Sequence, residues 1–235
     1  MKSVRVQRSD LPPGIVALPV RTRVVQPRDD LVALVAQAVD GIARPGDVLA
    51  VSETAVAIAQ GQSVGAEYVR PSRLAYALSR RAGALATVSQ PESLQIVIDR
   101  AGTRRVLYAA CMQVLGRLAG RRGAFYEILG EEIAAIDGYT GTMPPFERSI
   151  VFAPQQPDAF AQSVLERTGV DCAVVDANDL EKAKVLGASG RVARRAVELA
   201  LLANPHGNGD EQTPIVVLKW RGTGASPLLG EAAAC

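Results

Sequence analysis

Residues 46–61 read GDVLAVSETAVAIAQG, and this stretch is the most informative part of the chain for the fold. A Pro-Gly-Asp turn at 45–47 precedes five residues, 48–52, whose apolar character predicts a buried strand. The apolar run at 56–59, closed by a Gln-Gly pair, predicts a second short strand directly after the first. The stretch therefore predicts two short strands in succession.

Outside this stretch, strands and helices follow one another without a strict alternation. Further strands are predicted at residues 3–7, 15–20, 173–176 and 215–220. Helices are predicted from Asp29, at 71–82, from Pro91, at 158–167 and at 191–203, and residues 103–122 fit either a helix or a strand. This order indicates an α+β or mixed α/β architecture with one intertwined core.

The composition argues against several function classes. The 26 basic and 24 acidic side chains leave a net charge of +2, and aromatic residues make up 4% of the chain. A nucleic-acid binder would be expected to show a stronger positive charge and more stacking surface. No stretch has the roughly 18 apolar residues of a membrane span, and the N-terminus lacks an apolar signal core. We therefore expect a cytoplasmic protein without nucleic-acid or membrane partners.

The three cysteines, Cys111, Cys172 and Cys235, are odd in number and widely spaced. Such spacing argues against a disulfide framework and against a structural zinc site. Cys111 and Cys172 lie within apolar runs, which predicts that both are buried small hydrophobic side chains.

The common catalytic motifs are missing: the sequence has no phosphate-binding loop, no dinucleotide fingerprint, no nucleophile elbow and no zinc-protease motif. Its single histidine, His206, cannot form a two-histidine site, so oxygen ligands, and hence Mg²⁺ or Mn²⁺, are the simplest metal chemistry. Such oxygens gather around Asp137, around Asp176 at the end of an apolar strand, and in the glycine-rich loop at 204–211. Each of these segments fits either a metal-holding loop or an ordinary polar turn.

The order of these segments carries a resemblance to a known family. Residues 46–52 and 59–61 resemble the GDVLVVTSK…AEGR block of the coenzyme F420-0:gamma-glutamyl ligase family. The segment at Asp137, the strand ending in Asp176 and the strand at 213–217 after a glycine-rich loop follow in the family's order. The similarity extends over most of the chain.

This resemblance implies a GTP-dependent ligase that uses Mg²⁺ or Mn²⁺ to add glutamate, in amide linkage, to the lactyl-phosphate end of a deazaflavin cofactor. Metal would bridge the phosphates of the nucleotide, and phosphoryl transfer would give an acyl phosphate that the glutamate amine attacks. The implied fold is two-lobed and α+β, with intertwined sheets that form a homodimer. We therefore expect a single domain of two interleaved lobes over residues 1–221, followed by a disordered tail at 222–235.

The same resemblance implies functional positions. Asp137 and Asp176 match the metal-binding aspartates of the family. The nucleotide-binding positions that it implies are Ser52, Glu53, Thr54, Thr140, Asn178, Asn204, His206 and Asn208. By itself, a histidine within a Gly- and Asn-rich loop fits a turn residue as well as a ligand. No catalytic residue is assigned.

The chain departs from the family pattern after Asp176, where a threonine and an arginine are absent, before the last long helix, where about twenty residues are missing, and at three single positions. Thr54 and Ile58 stand where the family has lysines, and Gln62 replaces an arginine. Positive charge strengthens binding of a polyphosphate, so these changes leave an alternative open. Under that alternative the chain is a non-catalytic paralogue that keeps the fold as a binding or regulatory module. A ligase that acts on another nucleotide or acceptor also fits.

Overall fold

The computed structural model describes residues 14–82, 87–121, 123–138, 145–178, 182–207 and 211–230. The chain divides into two compact units. The first, termed the sheet unit, comprises Met1–Gly61 and Pro154–Cys235, and the second, termed the helical unit, is Gln62–Ala153. The strand predicted at 3–7 lies outside the described residues.

The elements that the structure describes give the mixed α/β class that the sequence indicates. The strands are β1 (Ile15–Val20), β2 (Val48–Ser52), β3 (Ser63–Gly65), β4 (Ser149–Val151), β5 (Asp171–Asn178), β6 (Lys182–Ala188) and β7 (Ile215–Trp220). The α-helices are α1 (Leu31–Val39), α2 (Glu53–Ala59), α3 (Arg73–Ser79), α4 (Pro91–Ala101), α5 (Thr103–Leu118), α6 (Ala124–Leu129), α7 (Glu131–Ala134), α8 (Pro157–Thr168) and α9 (Arg194–Ala200). No α-helix in these described ranges is long and apolar enough to span a membrane.

The sheet unit is built on one five-stranded mixed sheet in the order β1-β7-β2-β5-β6. β2 and β5 are parallel, and the other neighbouring pairs are antiparallel. Successive residues of a strand face opposite sides of a sheet. Val48 and Ala50 pack in one core cluster with Val197 of α9, and Leu49 and Val51, which face the other side, are also fully buried. Both faces of the sheet are therefore covered, which explains why β2 reads as a continuous apolar run.

The stretch at 46–61 forms β2 as predicted, but its second half is helical. The strand predicted at 56–59 is wrong, because these residues belong to α2, which begins directly after Ser52. Residues 55–59 are all buried, and periodicity cannot distinguish a buried strand from a buried helix in so short a run. Three of the seven α2 residues are alanine, the strongest helix former, and this propensity favours the helix.

Several predicted helices are confirmed with small changes of their bounds. α1 begins after Asp30, whose side chain accepts a hydrogen bond from the Ala33 backbone N–H (2.9 Å) and so caps the helix. Ser72 caps α3 in the same way by accepting from the Ala75 N–H. The ambiguous segment at 103–122 is helical over α5.

The C-terminal segment corrects two expectations. The helix predicted at 191–203 is reduced to α9, because Val192 forms a β-bridge with Leu229 and the Ala193 N–H donates to the carbonyl of Leu228 (2.8 Å). A disordered tail was expected from residue 222, yet Leu228 is fully buried in the core cluster that includes α9. Within its described part, to residue 230, this segment therefore belongs to the folded unit.

The helical unit packs α3 to α7 around a core of its own. Leu94 and Val97 of α4, Val106 of α5 and Ile150 of β4 are members of that core. β3 and β4 pair as a two-stranded antiparallel sheet. One side-chain prediction is wrong here: Cys111 is exposed on α5, because the apolar run in which it lies is not buried all around. Cys172 is buried in β5, as predicted.

The two ends of the helical unit leave and enter the sheet unit at neighbouring points. Within the helical unit, the Phe152 N–H donates to the carbonyl of Gln62 (2.9 Å) beside the β3–β4 pair. Within the sheet unit, the side-chain amide of Gln60 donates to the carbonyl of Gln155 (2.9 Å) and accepts from its N–H (2.7 Å). Each unit therefore closes its own chain ends by hydrogen bonds.

Candidate functional site

The carboxyl ends of β2 and β5 meet at one edge of the five-stranded sheet. In their parallel register Ser52 lies beside Val175, so Asp176 is the next residue along this edge. β7 begins at the same edge because it runs antiparallel to β2, and the Ser52 N–H donates to the carbonyl of Pro214 (2.8 Å), just before β7. This is the kind of edge at which ligands bind in open α/β sheets.

The loop between α9 and β7 returns to this edge under backbone constraint. Asn204 and Gln212 both have positive φ angles, 42° and 55°, which a non-glycine residue adopts only when its surroundings enforce it. The Thr213 hydroxyl donates to the carbonyl of His206, and the Thr213 carbonyl lies 3.1 Å from His206 Nδ1. Thr213 therefore fixes the position of His206 beside the start of β7.

One ring nitrogen of His206 forms a hydrogen bond within the protein, and the other can bond to a ligand. Since Nδ1 faces a carbonyl, Nδ1 carries the proton and donates, which leaves the lone pair on Nε2. Nε2 is buried and has no hydrogen-bond partner among the described residues. Burial lowers the pKa of His206 to about 4, so the ring is neutral at pH 7. A buried neutral imidazole of this kind can accept a hydrogen bond from an N–H or O–H group of a ligand.

We expect His206→Gln to flatten the pH dependence of stability between pH 7 and pH 4. The unfolded ring takes up a proton near pH 6.5 whereas the folded ring does so near pH 4, so wild-type protein loses stability as the pH falls through this window. The loss due to this residue is about 3 kcal/mol of unfolding free energy at pH 4. Urea unfolding followed by the fluorescence of Trp220, which lies in the sheet unit, measures it.

The comparison between the two proteins isolates the histidine, because His206 is the only one in the chain. Carboxyl groups also titrate in this range, and they do so equally in wild type and variant. An unfolding free energy that falls equally in the two proteins would contradict a buried neutral ring.

A β-bulge determines which residue faces Asp176. β6 carries one extra residue, Leu186, between the partners of Val174 and Val175, and beyond it Asp176 pairs with Lys184. Burial raises the pKa of Asp176, and the positive charge of Lys184 opposes that rise. Asp176 is thus a half-buried carboxylate whose ionised form a bound cation would stabilise.

Two positive charges at this edge were missed by the sequence analysis. Arg21 is exposed and follows the last residue of β1, Val20, which pairs with Ile215 at the start of β7. Lys184 is exposed on β6. For Arg21, the position directly after a predicted strand was a usable signal. For Lys184 there was none, because β6 itself was not predicted.

Asp137 lies in the helical unit, whereas Asp176 lies in the sheet unit. The Asp137 N–H donates to the carbonyl of Val151 (2.8 Å) and its carbonyl accepts from the Val151 N–H (3.0 Å), so its backbone adds a bridge beside β4. Asp137 is exposed. A Cβ atom on the next residue, Gly138, would lie 2.3 Å from the Gln90 side-chain oxygen, so a larger residue there would require the Gln90 side chain to move. The backbone after this aspartate is therefore closely packed.

Some of the remaining predicted nucleotide-binding positions lie at the same edge of the sheet, and others lie outside the described residues. Glu53 and Thr54 begin α2 directly after Ser52, and Asn178 ends β5. Thr140 and Asn208 lie outside the described residues. Across the described ranges, no group of three or more His, Cys, Asp or Glu side chains is placed to hold a metal ion. The edge thus brings together Ser52 and its two successors, Asp176 and, through Thr213, His206.

Comparison with known proteins identifies one family. The family model described as F420-0:Gamma-glutamyl ligase matches residues 19–180, more than half of the chain. The match contains β2, the start of α2, Asp137 and Asp176. None of the curated proteins matches the chain.

Proposed function

Because this chain belongs to the F420-0:Gamma-glutamyl ligase family, we propose that it is a metal- and nucleotide-dependent ligase. In this proposal it forms an amide bond between glutamate and a phosphorylated small-molecule acceptor of coenzyme F420 biosynthesis, with GTP as co-substrate. The observation that carries the proposal is the convergence of Ser52, Asp176 and the Thr213-held His206 at the carboxyl edge of β2 and β5.

The donor set fits Mg²⁺ or Mn²⁺. Mg²⁺ commonly takes one or two protein carboxylates and completes its shell with substrate phosphates and water. Asp176 suits this role because burial disfavours its ionised form, which a divalent cation would stabilise. The family resemblance also implies a metal-binding role for Asp137, which belongs to the helical unit. Bound metal would neutralise phosphate charge during phosphoryl transfer.

The residues of the chain would orient and hold the substrates. Arg21 and Lys184 supply positive charge at the edge for an anionic phosphate chain. Nε2 of His206 would accept a hydrogen bond from an N–H or O–H group of the ligand. The terminal phosphoryl group of the nucleotide would move to the carboxyl group of the acceptor, and the glutamate amine would then displace phosphate to form the amide.

We also propose that the ligase acts as a cytoplasmic homodimer, as the family resemblance implies. Cys111 is an exposed free cysteine and Cys172 is a buried one. The three widely spaced cysteines do not form a disulfide framework pattern, which supports the proposed location.

A non-catalytic role is the second candidate, and one observation favours it. Ile58 stands at a family lysine position and is a buried apolar member of α2, so this position supplies no positive charge to a nucleotide. Thr54 also lacks the family's charge. Under this candidate the edge would bind a small molecule without turning it over.

Thermal unfolding in the presence of nucleotides tests the proposed function. A ligand at 100 times its dissociation constant stabilises the folded state by about 2.7 kcal/mol. For a chain of this size we expect GTP with Mn²⁺ to raise the Tm by about 5–10 °C, and GTP alone to raise it less. ATP with Mn²⁺ and Mn²⁺ alone are the matched comparisons.

The outcomes separate the candidates when they are combined with an assay for glutamyl amide formation. A Tm shift with amide formation supports the ligase, and a shift without amide formation favours the non-catalytic module. If neither GTP nor ATP shifts the Tm in the presence of metal, the nucleotide dependence is wrong.

A further inference from the structure

Helix α5 presents an apolar face to solvent. Its two buried residues, Val106 and Ala109, attach it to the core of the helical unit. The exposed apolar side chains on its outer side are Leu107, Tyr108, Cys111, Val114, Leu115 and Leu118. Leu118 is 82% exposed. Contiguous exposed apolar side chains on a folded protein mark interaction sites, whereas single ones do not.

The spacing of these residues is that of a helix-packing seam. Leu107, Cys111, Val114 and Leu118 follow one another at intervals of four, three and four, the a and d positions of a heptad. At about 100° per residue, all six exposed apolar side chains fall within an arc of about 120°, opposite the buried pair. We refer to these six residues as the α5 face.

The sequence around α5 is rich in arginine, and the helices that pack against α5, α4 and α6, carry the acidic residues Glu92, Asp99 and Glu127. Residues 68–122 contain ten arginines and two acidic residues, although the whole chain is close to neutral. α5 itself has no acidic residue, and Arg104 and Arg117 are exposed near its two ends. Arg104 lies one heptad before Cys111, so the apolar stripe ends in a positive charge rather than running beside one.

From this combination we propose that the α5 face docks an acidic amphipathic helix of a partner protein. Apolar side chains of the partner would cover the stripe, and its carboxylates would pair with Arg104 and Arg117. A second copy of α5 fits poorly, because either orientation brings arginine-bearing ends together. A lipid surface is the competing occupant that the vesicle experiment below tests, because Arg104 lies at the helix end, from which an arginine side chain reaches the headgroups. The aliphatic character of the stripe offers little for nucleic-acid bases to stack on.

A designed peptide can serve as the probe. It consists of three heptads of Leu-Ala-Ala-Leu-Glu-Ala-Glu, with blocked ends and a fluorescent label, and a control peptide carries Gln in place of every Glu. We expect saturable binding of the acidic peptide to the full-length protein at micromolar concentration, at least tenfold weaker binding of the Gln peptide, and weakening by added salt.

Variants on exposed positions locate the site without disturbing the fold. The double variant Val114→Gln/Leu118→Gln should weaken binding of the acidic peptide at least tenfold, and Arg104→Gln/Arg117→Gln should remove most of its salt dependence. The matched controls are Leu18→Gln, an exposed apolar residue of β1, and Arg221→Gln, an exposed arginine of the sheet unit, and both should bind like wild type. Circular dichroism confirms that each variant is folded.

Four results would overturn the proposal. The first is absence of peptide binding, and the second is equal binding of the two peptides. The third is a dimer of the protein that Val114→Gln/Leu118→Gln dissociates in sedimentation analysis, since a second copy would then be the occupant. The fourth is binding to phosphatidylglycerol-containing vesicles that the same double variant abolishes, without peptide binding, which would make the face a lipid-binding surface.

Discussion

Replacing Asp171 with alanine should lower the free energy of unfolding of the sheet unit by about 2–3 kcal/mol. Asp171 is the first residue of β5 and is fully buried. One of its oxygens accepts from the Ser189 hydroxyl (3.0 Å), and the other accepts from Arg191 (2.7 Å). Ser189 in turn accepts from the Cys172 N–H (3.0 Å), so removal of the carboxylate leaves the buried Ser189 hydroxyl without its acceptor, whereas the half-exposed Arg191 can turn to solvent.

Burial is the physical reason for the size of this effect, and a second Asp–Arg pair in the same unit controls for it. Asp158 and Arg194 are 2.6 Å apart, with the Asp158 side chain 64% exposed. Asp158→Ala should therefore lower the stability by no more than about 1 kcal/mol. Asp171→Asn, which keeps an acceptor for Ser189, should fall between the two. Urea unfolding followed by Trp220 fluorescence measures all three, and equal losses for Asp171→Ala and Asp158→Ala would contradict the prediction.

Asp176→Asn should reduce ligase activity at least about 100-fold while raising the Tm. The activity falls because asparagine keeps the shape of the side chain but loses the charge that we assign to metal binding. The stability rises because burial disfavours the ionised carboxylate, as its raised pKa shows, and the neutral amide avoids that penalty. Initial rates of amide formation and a thermal unfolding curve measure the two effects on the same preparation.

The pairing of lost activity with gained stability distinguishes a functional charge from a structural one. Asp158→Asn is the matched control, because its hydrogen bond to the Ala188 N–H places it near the opposite end of β5, where Ala188 pairs with Ala173. It should leave the activity near that of wild type. Full activity in Asp176→Asn would remove this residue from the site, and a lower Tm would mean that its carboxylate stabilises the fold.

Local signals in the sequence were enough for much of the fold. β1, β2 and β7 are confirmed because their apolar runs end at clear turns, and α1 is confirmed because Asp30 provides its cap. The run at 56–59 was misassigned because four apolar residues fit a buried strand and a buried helix equally well. α9 was predicted too long because its first residues instead pair with Leu229, a partner distant in the sequence.

In the candidate site, too, residues marked by a local sequence pattern were predicted, and residues whose role depends on contacts distant in the sequence were not. Asp176 was predicted because a carboxylate directly follows an apolar run. Lys184 and Thr213 could not be predicted as site residues. The role of Lys184 depends on strand pairing, and that of Thr213 depends on a loop that returns to the sheet. The bulge at Leu186 is decisive for Lys184, since without the extra residue a different side chain would face Asp176.

The double hydrogen bond between Gln60 and Gln155 makes the helical unit a segment that can be exchanged as a whole. It closes the sheet unit at the point where the helical unit departs, so the segment between them behaves as a replaceable cassette. Insertions and exchanges are tolerated where both ends of a segment are close together. Evolution or a protein engineer can therefore substitute this cassette, together with Asp137 and the apolar α5 face, while leaving the Asp176 edge on an unaltered scaffold.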